Sequence, residues 1–205
     1  MNRCIIFGSA EINNYNNIKI HKNDYIIAAD GGLFHVSKIG AFADLLLGDF
    51  DSIREITDNY KEKLTVPAEK DDTDMMLAVK TAISKGYKEI VMYGALGGRL
   101  DHTFANIQTL EYIYEQGCNG TIVGDSDVLF FQGQGIRHYN QIDGYYFSVF
   151  AISPETVITT SGTKYNLDKD TLNTSFPLGV SNEISEKSCS VEVISGKLLI
   201  IFSSK

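Results

Sequence analysis

The strongest constraint on the fold of this chain is a change of pattern near residue 125. Before that point, short apolar runs alternate with amphipathic stretches, and after it, β-type runs follow one another with short polar breaks. Strands that alternate with helices are typical of α/β folds, here a mostly parallel sheet flanked by helices. Consecutive short strands indicate an antiparallel sandwich. The pattern predicts an α/β domain over residues 1–125, followed by a small antiparallel β-sandwich domain over residues 126–205.

Secondary structure in the first part is indicated by short apolar runs, by helix-capping residues and by apolar residues at helical spacing. Four aliphatic or β-branched runs have the composition of strands buried on both faces, namely Cys4–Phe7, Tyr25–Ala29, Asp44–Leu47 and Glu89–Tyr93. Asp72 or Thr73 is placed to cap a helix from Asp74 to Lys85. A second helix is predicted from Asp101 to Gln116, with an apolar stripe made of Phe104, Ile107, Leu110 and Tyr114.

Five further runs in the second part have strand character: Val128–Phe131, Tyr145–Ile152, Thr156–Thr160, Cys189–Ile194 and Lys197–Phe202. Ser195-Gly196 stands between the last two. Because Gly favours tight turns, this pair predicts a hairpin between those strands.

Composition narrows the functional class. The 205-residue chain has a formal net charge of -8 and no cluster of basic residues, which argues against a nucleic-acid partner. No apolar stretch is long enough to span a bilayer. The three cysteines lie far apart in sequence, which favours a reducing compartment over a disulfide framework. We therefore expect a soluble cytoplasmic protein with no nucleic-acid or membrane partner.

Four segments rich in Asp and Gly stand where strands are expected to end. They are Asp30-Gly31-Gly32, Gly48-Asp49-Phe50-Asp51-Ser52, Lys70-Asp71-Asp72-Thr73-Asp74, and the run from Gly94 to His102. In an open parallel sheet, ligands bind beyond the carboxyl ends of the strands. Each segment alone also has a structural interpretation, as a turn or a helix cap. Their joint placement at strand ends favours a shared cleft.

The chemistry of these residue types points to phosphate and magnesium. Clustered carboxylates repel one another unless they are protonated or bind cations, and Mg²⁺ prefers such oxygen ligands together with substrate phosphates. Glycine pairs let a backbone approach phosphate oxygens closely. Arg99 supplies a planar cation suited to phosphate, and Lys70 supplies a second charge. Since no Walker-type loop is present in the sequence, a nucleotide would be held through metal ions and turn amides.

In order and spacing, these four segments resemble the successive motifs of thiamine pyrophosphokinases. Ser161-Gly162-Thr163-Lys164-Tyr165 and Gly179-x-Ser181-Asn182-Glu183 are similar to later motifs of that family. The resemblance runs from near the start to about Glu183, and Gly-Asp-Phe-Asp-Ser is its most specific part. It implies an α/β nucleotide domain and a β-sandwich domain that bears the thiamine contacts and the dimer contacts. It also implies a homodimer whose active site lies between one subunit's α/β domain and the other's sandwich.

The resemblance implies transfer of a diphosphate from Mg·ATP to the hydroxyl of thiamine, with release of AMP. It assigns Mg²⁺ binding to Asp49, Asp51, Asp71 and Asp101. Catalytic roles fall to these four together with Asp74 and Arg99. ATP contacts are assigned to Asp30, Gly31, Lys70, Gly97, Gly98 and His102. Thiamine contacts are assigned to Ser181 and Asn182 of the partner subunit, and no general base is assigned.

The chain departs from the family at one point. Animal members place a tryptophan near the C-terminus to stack on thiamine, and this sequence contains no tryptophan. The corresponding stretch, 197–202, offers an aliphatic contact, or the contact comes from elsewhere. Three alternatives stay open: a pyrophosphokinase acting on another alcohol such as a pterin, a non-catalytic regulator that binds thiamine or its diphosphate, and a metal-dependent phosphohydrolase.

Overall fold

The computed structural model describes residues 3–50, 58–67 and 71–205. Three residues singled out in the sequence, Asp51, Ser52 and Lys70, lie outside these ranges. The chain divides into two compact units, Met1–Asp125 and Ser126–Lys205. Among the described residues, no helix combines the length and apolar character needed to cross a bilayer.

The first unit is built around a parallel sheet. Its strands are β1 (Arg3–Phe7), β2 (Tyr25–Ala29), β3 (Ala43–Gly48), β4 (Tyr60–Thr65), β5 (Glu89–Tyr93) and β6 (Asn119–Val123). They pair in the order β4-β3-β2-β1-β5-β6, and each of these pairs is parallel. The helices are α1 (Gly32–Lys38), α2 (Asp74–Ser84) and α3 (Leu100–Glu115), with a 3-10 turn at Tyr15–Asn17.

Burial explains which strands the sequence predicts. β1 lies between β2 and β5, and its residues 4–7 are fully buried, so only apolar side chains fit there. The four predicted strands β1, β2, β3 and β5 are confirmed. β4 was not predicted because it is an edge strand with an exposed, charged sequence. Strand β6 and the short helix α1 were also missed.

The two predicted helices are confirmed, with one correction. The Thr73 side chain caps α2 by accepting a hydrogen bond from the Met76 N–H at 3.1 Å. In α3 the predicted apolar stripe is wrong at its start, because Phe104 is 62% exposed. The fully buried side chains of α3 all belong to its second half, and two of them, Leu110 and Ile113, lie directly over Gly120 of β6, where a Cβ would meet them.

The second unit consists of antiparallel strands. They are β7 (Asp127–Gln132), β8 (Gly135–Asn140), β9 (Tyr145–Ala151), β10 (Thr156–Ser161), β11 (Asp170–Leu172), β12 (Ser188–Ser195) and β13 (Leu198–Ser204). Within this unit, β7-β13-β9 form one layer and β11-β10-β12-β8 form the other. Apolar side chains from both layers share one core, as in a sandwich. The predicted fold class, α/β followed by a small β-sandwich, is confirmed.

The predicted hairpin at Ser195-Gly196 is wrong. The turn exists, but β12 pairs with β10 and β8, whereas β13 pairs with β7 and β9. The chain therefore crosses from one layer of the sandwich to the other, because the apolar faces of both strands cover the same core. Glycine is required at the crossing: Gly196 has φ +82, and a Cβ there would lie 2.6 Å from Thr156 Oγ1.

Candidate active site

The Asp- and Gly-rich segments of the first unit lie along one edge of its sheet. Asp30 follows β2, Asp49 follows β3, Asp71 lies between β4 and α2, and the Gly94–Arg99 loop joins β5 to α3. Because these strands are parallel, their carboxyl ends all lie along the same edge of the sheet, the edge that runs across the strand ends. In a sheet of this kind that edge is where ligands bind.

Close backbone contacts join the loops after β1 and β5. The Gly8 N–H donates to the Tyr93 carbonyl at 2.8 Å, and the Ala10 N–H donates to the Gly94 carbonyl at 3.0 Å. A Cβ at Gly8 would lie 2.5 Å from the Gly94 oxygen, and one at Gly94 would lie 2.4 Å from the Gly8 oxygen. These two glycines therefore allow the central loops to touch.

Asp30 is held beside the loop that follows β3. Its N–H donates to the Leu47 carbonyl at 2.7 Å, and its backbone has the left-handed φ of +48. A Cβ at Gly48 would come within 3.1 Å of the Asp30 Cα. Gly48 thus brings the backbone of Asp49 next to Asp30, and Asp51 would follow outside the described residues.

The segment before α2 divides its acidic residues between two roles. Asp72 forms an ion pair with Lys80, at 2.7 Å from Oδ1 to Nζ, and so helps to fix the start of the helix. Asp71 is exposed, and Asp74 is the first residue of α2, where the helix dipole favours a negative charge. Lys70 lies outside the described residues.

Arg99 and Asp101, both predicted site residues, pair with each other. Arg99 Nη2 lies 2.6 Å from Asp101 Oδ2, and its Nε donates to Oδ1 at 3.1 Å. The hydrogen bonds from Arg99 hold the pKa of the Asp101 carboxyl below its ordinary value. His102, the next residue, donates its N–H to Asp101 Oδ1 at 2.9 Å. Since both side chains are exposed, the pair is weak and either group can be redirected to a ligand at small cost.

Two polar side chains of α3 contact the Gly94–Arg99 loop. Thr103 Oγ1 lies 3.2 Å from the Gly97 nitrogen and 3.3 Å from the Gly97 oxygen. Asn106 Nδ2 donates to the Ala95 carbonyl at 2.8 Å. Sequence reasoning missed both residues. The available signal is their spacing, three residues apart on one helix face directly after a glycine-rich loop.

His35 of α1 forms hydrogen bonds with two residues of the segment that follows β1. Its Nε2 lies 2.9 Å from the Ala10 carbonyl oxygen, and its Nδ1 lies 2.7 Å from the Tyr15 hydroxyl. Because a carbonyl only accepts, the Nε2–H donates to Ala10 and Nδ1 accepts from Tyr15. Burial lowers the pKa of His35, which favours this neutral form. No sequence motif marked His35, because its role depends on contacts distant in sequence.

In the second unit, Asn182 fixes the backbone of Tyr165. The Asn182 Oδ1 accepts from the Tyr165 N–H at 3.1 Å, and its Nδ2 donates to the Tyr165 carbonyl at 2.8 Å. Tyr165 as a residue remains 63% exposed. Ser181 has a left-handed φ of +56, and its N–H donates to Ser148 Oγ at 3.0 Å. Sequence reasoning placed Tyr165 in a motif but gave it no role.

The donor set at the sheet edge suits magnesium. Asp49, Asp71 and Asp101 offer hard oxygen ligands, of the kind that Mg²⁺ shares with substrate phosphates. Within residues 3–50, 58–67 and 71–205, no three His, Cys, Asp or Glu side chains gather closely enough to hold a metal ion by themselves. The fourth predicted ligand, Asp51, lies outside these ranges. The predicted metal set stays a prediction.

The two parts of the chain match the two domain models of one known family. Residues 17–123 match "Thiamin pyrophosphokinase, catalytic domain", and residues 135–198 match "Thiamin pyrophosphokinase, vitamin B1 binding domain". The chain belongs to the thiamine pyrophosphokinase family. The resemblance stated from the sequence motifs is thereby confirmed, and the chain is an enzyme of the transferase class.

The chain is also similar in sequence and in fold to individual members of the thiamine pyrophosphokinase family. Thiamin pyrophosphokinase 1 of Caenorhabditis elegans is 25% identical over 178 residues, covering 80% of this chain and 73% of that protein. Thiamine pyrophosphokinase of Bacillus subtilis is 27% identical over 185 residues, covering 87% and 86%. A crystal structure of thiamine pyrophosphokinase from Bacillus subtilis, aligned at 24% identity over 100% of both chains, has a TM-score of 0.86 and shows the same fold.

Proposed function

We propose that this chain transfers the diphosphate of Mg·ATP to the hydroxyl of thiamine, giving thiamine diphosphate and AMP. One observation carries the proposal: the Asp- and Gly-rich loops follow β2, β3, β4 and β5 at a single sheet edge. This placement occurs in a chain whose two parts match the catalytic and vitamin B1 binding models of one family.

The carboxylates of Asp49, Asp51, Asp71 and Asp101 are proposed to hold Mg²⁺. When bound, Mg²⁺ would neutralise the charge that develops on the phosphate oxygens of the migrating diphosphate. The closeness of the Asp30 and Gly48 backbones supports a shared position for the loops after β2 and β3. Asp74, at the first position of α2, either contacts a metal ion or anchors the segment before it.

Phosphate binding is proposed for the glycine loops and the cations beside them. Gly31, Gly97 and Gly98 present backbone rather than side chains, so that phosphate oxygens can approach closely. Arg99 would turn from Asp101 toward the diphosphate as Asp101 turns to the metal, and it would stabilise the charge in the transition state. The remaining proposed ATP contacts are Asp30, Lys70 and His102.

Thiamine is proposed to bind at a site completed by a second copy of the chain. Ser181 and Asn182 of the partner subunit would provide contacts, with the exposed ring of Tyr165 held next to them by Asn182. The homodimer would then carry two such sites. Support comes from the position of these motifs in a unit separate from the acidic loops.

We further propose that the enzyme acts in the cytoplasm on small-molecule substrates, without nucleic-acid or membrane partners. The three cysteines are unpaired and buried, as suits a reducing compartment. The net charge of -8 does not suit a polyanionic partner.

The decisive experiment is product analysis with Mg·ATP and a panel of alcohols that includes thiamine and a pterin. AMP and thiamine diphosphate are expected as products, and a label on the γ-phosphate should appear as the outer phosphate of the new diphosphate. ADP with a monophosphorylated alcohol would refute diphosphate transfer. Binding of thiamine without any turnover would instead indicate a regulator, and release of inorganic phosphate from ATP alone would indicate a hydrolase.

A further inference from the structure

The Gly94–Arg99 loop is anchored at Gly94 by the hydrogen bond from the Ala10 N–H, whereas its glycine pair, Gly97-Gly98, has no side chain to restrict the backbone. Gly94, Gly97 and Gly98 have positive φ values of +61, +92 and +66. A Cβ added at Gly97 or Gly98 would point into open space, with no atom outside the neighbouring residues within 4 Å, so no packing around a side chain restricts the backbone there. Glycine backbone of this kind has many accessible conformations. Hydrogen bonds from outside the loop must therefore select the one that is used.

The first two turns of α3 provide such hydrogen bonds. The Thr103 hydroxyl is within hydrogen-bonding distance of both polar atoms of Gly97, at 3.2 Å from N and 3.3 Å from O. The Asn106 side-chain amide donates to the Ala95 carbonyl at 2.8 Å. Ala95 itself is buried, so the loop is fixed at its base and near its tip.

We infer that Thr103 and Asn106 are positioning residues for phosphate binding. They act through the backbone of Ala95 and Gly97, and they hold the loop in the conformation that accepts the phosphates of Mg·ATP. The inference rests on the proposed function, because that function makes the loop a phosphate site. Arg99 follows the glycine pair directly, so the same hydrogen bonds also determine where its side chain begins.

A test of loop geometry that needs no activity is tryptic cleavage after Arg99. In the sequence, Arg99 is the only Lys or Arg between Lys88 and Arg137, and its side chain is 72% exposed. Thr103→Val removes the hydroxyl with little change of shape, whereas Thr103→Ser retains it. We expect the 1–99 fragment to form several-fold faster in Thr103→Val than in the wild-type chain, and at the wild-type rate in Thr103→Ser.

Thr109 offers a matched control in the same helix. It is buried, and its hydroxyl donates to the Ala105 carbonyl within α3 at 2.9 Å rather than to the loop. Thr109→Val should therefore leave the rate of cleavage after Arg99 unchanged. Asn106→Ala is the second test variant and should behave like Thr103→Val. Melting temperatures, expected to stay within about 4 °C of the wild-type value, separate local from global effects.

Steady-state kinetics tests the link to phosphate binding. Loss of the side-chain hydrogen bonds to the loop predicts that Thr103→Val and Asn106→Ala each raise KM for Mg·ATP about 3- to 10-fold. KM for thiamine should stay within about 2-fold, a split that general destabilisation would not produce. Equal cleavage in Thr103→Val and Thr109→Val would overturn the inference, and so would faster cleavage with an unchanged KM for Mg·ATP. Failure of the proposed function would look different: the wild-type chain would form no AMP, while the cleavage comparison would still stand.

Discussion

Arg99 and Asp101 form a two-point ion pair across a single intervening residue, with contacts of 2.6 Å and 3.1 Å. Both groups were assigned to the site from the sequence, one for phosphate and one for metal. Because they contact each other, the positive charge of Arg99 and the negative charge of Asp101 offset each other before a ligand is bound. Binding of Mg·ATP would then replace one ion pair by two, Asp101 with the metal and Arg99 with phosphate.

The pair predicts a pH effect on Asp101. A carboxyl group is ionised above its pKa, and Arg99 lowers that pKa, so Asp101 stays charged to more acidic pH than an ordinary aspartate. Arg99→Gln should therefore raise the pKa of Asp101 towards its ordinary value of about 3.9. Carbon-detected NMR titration of the metal-free chain measures this pKa directly. Arg137→Gln, on β8 of the other unit, is the control, and equal Asp101 midpoints in the wild-type and Arg99→Gln chains would contradict the prediction.

Adjacent glycines at the start of α1 should differ sharply in their tolerance of a methyl group. A Cβ at Gly32 would lie 1.9 Å from the Phe7 carbonyl oxygen, whereas one at Gly31 would lie 3.1 Å from the Oγ and 3.2 Å from the Cβ of Ser9, contacts that a small shift of Ser9 relieves. Gly32→Ala should lower the free energy of unfolding by about 3 kcal/mol or more. Gly31→Ala should change it by about 1 kcal/mol at most. Denaturation followed by circular dichroism measures both, and equal stabilities would show that the backbone at Gly32 can move away from β1.

If Asp49 and Asp51 bind a metal ion, replacing either of them should lower turnover strongly while the chain still folds. Asp49→Asn and Asp51→Asn each remove a negative ligand, and turnover should fall by at least about 10²-fold. Raising the Mg²⁺ concentration should recover part of the loss. Asp143→Asn, in an exposed turn of the second unit, is the matched control and should keep normal turnover. Near-normal rates in both site variants at ordinary Mg²⁺ would rule out the assignment.

The proposed composite site predicts complementation between two inactive chains. One carries Asp51→Asn, and the other carries alanine at both Ser181 and Asn182. Mixing them should restore one intact site in each heterodimer, because the acidic loops then come from one chain and the Ser-Asn segment from the other. Subunit exchange is confirmed with differently tagged chains. Exchange without any recovery of AMP formation would show that each chain builds its own site.

The strands of the first unit were predictable because burial on both faces admits only apolar side chains, as in β1 and β5. The outermost strand of the sheet, β4, is exposed and charged. Its sequence therefore contains no apolar run from which a strand could be predicted. The Ser195-Gly196 turn was recognised from its residues, but local turn chemistry does not encode which layer the next strand joins. For this reason β12 and β13 were wrongly predicted to pair with each other.

At the candidate site, residues recognisable from the sequence belong to short local patterns. Asp30-Gly31 and Gly97-Gly98 were found because glycine and aspartate are informative at strand ends. His35 and Thr103 were not found, because ordinary helix residues acquire these roles only through contacts made in the folded chain. Asn182 shows a third case, in which the residue was singled out but its bonds to the Tyr165 backbone were not foreseen.

Strand β13 lies in the middle of its layer, between β7 and β9, and Ile200 pairs with Phe130 on one side and with Val149 on the other. During synthesis, β7 and β9 leave the ribosome well before the strand that must separate them. The core of the second unit therefore closes late, through contacts distant in sequence, which fold slowly. The parallel sheet of the first unit is complete at β6 and can form earlier. Co-translational folding should thus leave β7 and β9 with unpaired edges until residues 198–204 arrive.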